Sequence, residues 1–155
     1  MDTIIDYNLP FFSYGVFRPG EISFLGIKDF VKTAESIKIN GVLVLRDGIT
    51  LFKKNNDRRV DGFLISFKDD KLKDAYEFIA SFEPNKLFKW SEETSDNNER
   101  FNILIGIKPD KGSENIEETD WKTIWGDPYF NSAIEVLNET PTPKFHRNLK
   151  PLFKL

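Results

Sequence analysis

The 155-residue sequence predicts an α+β fold, a small mixed, curved β-sheet or barrel of about six strands with helices packed outside. Three observations lead there. Short runs rich in Val, Ile, Leu and Phe recur at hairpin-length spacing. Asp47-Gly48 separates two of those runs, and Asp-Gly between apolar segments is a strong hairpin signal. The clearest helical spacing, from Asp69 to Phe82, stands between strands and not in a block of helices.

Each element follows in chain order. Phe11 to Phe17 is an apolar run that passes into Tyr14-Gly15 and breaks at Arg18-Pro19-Gly20, a strand that ends in a turn. Phe24, Ile27, Phe30 and Val31 have the spacing of a short helix. Ser36 to Leu45 reads as one strand, and Ile49 to Phe52 as its return. Val60 to Phe67 is a further strand, with Gly62 marking a bulge or a close backbone approach. Asp69-Asp70 caps a helix whose Leu72, Ala75, Tyr76, Ile79 and Phe82 share one face. Pro84 ends it, since the residue before a proline is driven out of helical geometry.

Leu87 to Trp90 starts another strand, Ser91 to Arg100 reads as a polar, mobile loop, and Phe101 to Lys108 is apolar strand. Residues 109–120 form an acidic excursion, and Asp127-Pro128 starts a last helix as N-cap and first-turn proline. The whole reads as a single domain, 1–155. Within it, 109–140 is an accessory loop and C-terminal helix, and 141–155 a Pro- and Lys-rich tail.

Composition narrows the chemistry. There are no cysteines, which removes disulfides, thiolate metal sites and cysteine nucleophiles. The single histidine, His146, sits in the Pro-interrupted tail, where a solvated side chain is the simplest reading. No serine lies in a Gly-x-Ser-x-Gly elbow. With 25 acidic and 22 basic residues the formal charge is -3, which gives no basic field for a nucleic acid. The cluster Lys144, Arg147, Lys150 and Lys154 reads as a solvated terminus. No basic leader and no long apolar span opens the chain, so a soluble cytoplasmic protein with no membrane contact is expected.

Two features remain that could carry a reaction. A strand end at Tyr14-Gly15 offers backbone N–H groups with no ladder partner, a nest for a carboxylate or oxyanion. Glu83 stands at the exit of a helix beside Phe82, Pro84 and Leu87, where burial would raise its pKa toward the range of a general base. The other acids fall in solvated runs.

The order of these motifs resembles the gamma-glutamylcyclotransferase-like family over residues 10–108. Phe12-Ser13-Tyr14-Gly15-Val16-Phe17-Arg18-Pro19-Gly20 resembles its opening strand and Tyr-Gly turn. Ile39-Asn40-Gly41-Val42-Leu43 with Asp47-Gly48-Ile49 resembles its first hairpin, and Val60-Asp61-Gly62-Phe63 its Val-x-Gly strand. Phe82-Glu83-Pro84 resembles its helix exit. The resemblance implies that family's fold and cofactor-free release of 5-oxoproline and an amine from a gamma-glutamyl amine or peptide. It assigns Glu83 the role of general acid and base, and Tyr14, Gly15, Val16 and Phe17 that of substrate binding. Arg18 could pair a substrate carboxylate or stand as a surface cation. Tyr76 and Trp90 could line the pocket or belong to the core.

The sequence also departs from the family. Val16 stands where members usually have Ser or Thr, Phe17 where Leu is usual, and Ala80-Ser81-Phe82 lacks the aspartate that often precedes the glutamate. The alternative is a non-catalytic small-molecule-binding or protein-interaction module on the same fold. Trp121 to Tyr129, with two Trp and one Tyr, would be its anchor for a partner or a second copy.

Overall fold

In the computed structural model, the described residues form two sheets with one α-helix packed on the larger. The structure describes residues 4, 6–15, 17–19, 21–46, 49–82, 87–109 and 113–119. The strands are β1 (Phe11–Ser13), β2 (Val31–Asn40), β3 (Val42–Arg46), β4 (Ile49–Lys53), β5 (Arg59–Phe67), β6 (Phe88–Thr94), β7 (Arg100–Gly106) and β8 (Ser113–Glu118). The helix α1 is Leu72–Phe82. The five-stranded sheet has the order β2-β5-β1-β7-β6, and the three-stranded sheet β4-β3-β8. Only β1 and β7 pair in parallel, so the larger sheet is mixed.

The predicted class is the observed one, with about six strands becoming eight among the described residues. The hairpin forms with Arg46 opposite Ile49. Other expectations need correction. The apolar spacing from Phe24 to Val31 does not make an α-helix. It makes two short 3-10 segments, Ile22–Gly26 and Lys28–Phe30, and Val31 already belongs to β2. Ser36 to Leu45 is two strands in two different sheets, split at Gly41, whose N–H donates to the Arg58 carbonyl at 3.0 Å. Gly41 is the corner because a Cβ there would overlap the Phe52 ring.

The helix starts one residue later than the acidic pair suggests. Its first bond runs from the Ala75 N–H to the Lys71 carbonyl (3.0 Å), which puts Lys71 at the N-cap position. Ser91 to Thr94 is not loop but the second half of β6, paired through Thr94 and Arg100. Only residues 95–99 remain for the connection. The acidic excursion after Pro109 contains β8, which pairs with β3. Both errors have one cause. β6 and β8 each end the strand order of their sheet among the described residues, and an edge position tolerates polar residues.

The larger sheet is covered on both faces. Phe11, Phe67, Tyr76 and Trp90 interlock between it and α1, with the Tyr76 ring centroid 5.3 Å from Phe67, 5.6 Å from Trp90 and 6.2 Å from Phe11. On the opposite face Phe12 meets Phe101 at 5.7 Å and Tyr14 meets Phe52 of the smaller sheet at 5.5 Å. The alternation along β1 therefore feeds two half-cores, the period-two rule at work. Gly62 is a close approach and not a bulge. It pairs in register with Ile37, and a Cβ there would overlap the Phe12 ring and lie 2.8 Å from the Ser13 carbonyl oxygen.

Candidate functional site

The Tyr14–Arg18 turn begins where β5 stops offering rungs to β1. The ladder between them ends at Ser13 opposite Phe63. The next outlet on β5, the Asp61 N–H, donates instead to the Thr119 carbonyl at 2.8 Å, just past β8. With its place on β5 taken, the chain leaves the sheet at Tyr14 and Gly15.

Tyr14 anchors the departure. Its side chain is 6% exposed, and its hydroxyl donates to the Leu104 carbonyl on β7 at 2.6 Å. The turn then closes on itself, with the Arg18 N–H donating to the Gly15 carbonyl at 2.9 Å. The same three-residue step repeats from Glu21 to Arg18 (2.9 Å), Phe24 to Glu21 (3.1 Å), Ile27 to Phe24 (3.0 Å) and Phe30 to Ile27 (2.9 Å). The Gly15–Arg18 bond is thus the first of a series of three-residue steps that runs to Phe30. The Arg18 N–H is consumed in this way.

Phe17 is 2% exposed and folds back toward the helix side of the sheet. Its ring lies edge-on to Phe11 (6.5 Å) and Phe78 (6.3 Å). Phe78 belongs to the C-terminal half of α1, so this contact brings the turn and the end of the helix together. The Arg18 guanidinium carbon stands 5.5 Å from the centre of the Phe63 ring, a cation–π geometry. Arg18 is therefore folded over the sheet rather than extended from it.

Of the remaining predicted site residues, Glu83 and Val16 lie outside the described residues, as do Trp121 to Tyr129 and His146. The helix runs in order up to Phe82, the residue before Glu83. Tyr76 and Trp90 sit in the aromatic half-core beneath α1. Tyr76 is fully buried, and its hydroxyl donates to the Leu9 carbonyl. Burial pushes the Tyr76 phenol well above the usual tyrosine range, since no phenolate is solvated there.

Three buried polar groups around the turn went unnoticed in the sequence. Glu21 is 4% exposed directly after the turn, and the hydroxyls of Ser13, on β1 just before it, and Ser23, just beyond it, are buried with no hydrogen-bond partner. Nothing in a lone Ser within an apolar strand, or a lone Glu after Pro-Gly, signals this. A separate cleft of about 190 Å³ opens between Asn40, Lys54, Glu93 and Asp96 over Phe52 and Phe101, and it includes none of the predicted site residues. Among the described residues, no three His, Cys, Asp or Glu side chains are placed to hold a metal ion. No helix among them is long and apolar enough to cross a membrane.

No protein-family model matches this chain, and no curated protein matches it in sequence. One solved structure is similar in fold: the crystal structure of uncharacterized protein PH0828 from Pyrococcus horikoshii. It is 16% identical, with a TM-score of 0.54, over 75% of this chain and 92% of that one. The likeness is one of fold. At that identity it carries the architecture of sheet and helix and leaves the chemistry to the residues of this chain.

Proposed function

We propose that this protein is a cofactor-independent gamma-glutamylcyclotransferase-like enzyme of the cytoplasm, releasing 5-oxoproline and an amine from a gamma-glutamyl amine or peptide. The contact of Phe17 with Phe78 carries the reading, because it joins the turn expected to bind substrate to the helix that leads into the expected base. The motif order over residues 10–108 supports it.

The reaction asks little of the protein. The substrate's α-nitrogen attacks its own γ-carbonyl, so the nucleophile is tethered and ring closure carries the entropic advantage. Glu83 takes a proton from the α-ammonium, the N–C bond of the lactam forms, and the bond from the carbonyl carbon to the leaving amine breaks. The α-nitrogen loses two protons in all and the departing amine gains two, with Glu83 as the relay. Backbone N–H groups of the Tyr14–Phe17 turn hold the substrate carboxylate or the developing oxyanion. Arg18, held over Phe63, is within the same turn and adds a cation for a carboxylate.

The test is to incubate the protein with a panel of gamma-glutamyl amides and dipeptides and to follow 5-oxoproline. Formation from at least one member is expected. A second reading draws on Phe17, whose buried ring fills space between β1 and α1 that the family's usual Leu would leave. On that reading the site binds a small molecule without turning it over, or the fold presents Trp121 to Tyr129 to a partner. Saturable binding of gamma-glutamyl compounds with no product at any pH would favour it.

A further inference from the structure

The Ser13 hydroxyl is a buried polar group that the reaction above leaves idle. The residue is 2% exposed, and its Oγ has no hydrogen-bond partner. Such groups are uncommon in folded proteins and are found where a ligand, a water or stored strain explains them.

Its place in the sheet points to a ligand. Ser13 stands opposite Phe63 in the β1–β5 ladder, so the two side chains rise from one face. Phe11, earlier by one strand period, rises from the same face. Phe11 packs against Phe17, and Phe63 lies under Arg18. Ser13 is therefore floored between two rings that each carry a residue of the turn, on the side of the sheet that faces α1. The turn itself leaves the hydroxyl unpaired.

We propose that the Ser13 hydroxyl is a substrate-positioning contact, donating its proton to an oxygen of the gamma-glutamyl head group. The inference rests on the cyclotransferase reading and adds a side-chain contact to a turn that otherwise binds through its backbone and Arg18. In the free protein the hydroxyl is covered, so the ligand meets it when the Arg18 side chain swings off the Phe63 ring, with Phe17 kept against Phe78. Binding then exchanges an unpaired hydroxyl for a paired one.

This sets stability against binding. In the free protein Ser13→Ala deletes a polar atom that has no bond to lose. In the complex the same change deletes a hydrogen bond.

The experiment uses the full chain and 5-oxoproline, titrated by NMR, beside the thermal midpoint without ligand. For Ser13→Ala the midpoint is expected to hold or rise, while Kd for 5-oxoproline weakens by about tenfold, the worth of one hydrogen bond to a charged group. Equal affinity in the two proteins, or a midpoint lowered by several degrees, overturns the role of Ser13 and leaves the cyclotransferase reading standing. If the unsubstituted protein neither binds 5-oxoproline nor forms it from any gamma-glutamyl amide, that reading fails and the Ser13 contact falls with it.

Discussion

At Tyr14 one phenolic hydroxyl fixes the direction in which the chain leaves the sheet. Its bond to the Leu104 carbonyl is short and buried, so Tyr14→Phe strands an acceptor in the core. The expected loss is about 1–2 kcal/mol, read as a lower urea midpoint at unchanged slope. Tyr76 predicts a pH effect. Burial raises its folded pKa above the unfolded value near 10, so above that pH the unfolded chain sheds a proton that the folded chain keeps. Its contribution is complete below about pH 10 and is lost as pH rises beyond it, by at most about 1.4 kcal/mol per pH unit. Urea midpoints at pH 9 and 11 check this, and Tyr76→Phe should flatten the decline. At this scale the sequence marks Tyr14 and Gly15 because Tyr-Gly before Arg-Pro-Gly is a visible break. It cannot mark Ser13, whose significance comes from Phe63 fifty positions away in the chain.

Between elements the decisive contact is the one from Phe17 to Phe78. Phe78→Leu keeps an apolar side chain of nearly the same reach, so stability should fall by less than about 1.5 kcal/mol. Turnover should fall further, by about tenfold or more, because the turn loses its register on the helix. Steady-state kinetics beside a denaturation curve separates the two, and an equal loss in both would show that the contact only holds the fold. Gly62→Ala tests the packing on the other face of β5. Its methyl group has to displace the Phe12 ring and the Ser13 carbonyl, at an expected cost of about 1–3 kcal/mol. Elements with an apolar period were legible in the sequence: β4, β5, β7 and α1. Strands β6 and β8 were not, because an edge position tolerates polar residues that break the alternation. The break at Gly41 was hidden for the opposite reason, since Ile39 and Val42 are apolar on both sides of it.

At the scale of the molecule, the described residues form a mixed five-stranded sheet with a helix on one face and a second, three-stranded sheet on the other. Its likeness to the Pyrococcus horikoshii structure reaches the architecture and stops there. The architecture nonetheless places the turn: β1 ends in the sheet's middle, Thr119 after β8 takes the rung beyond it, and Phe17 carries the turn to the C-terminal half of α1. Only the side-chain chemistry at that junction can say whether it is a catalyst. The most direct measurement is 5-oxoproline release from the best gamma-glutamyl amide by the protein and by Glu83→Gln, with circular dichroism confirming equal folding. A general base worth about a hundredfold or more should be lost in the variant, leaving product near the uncatalysed rate. Undiminished turnover in Glu83→Gln would contradict the account at its centre.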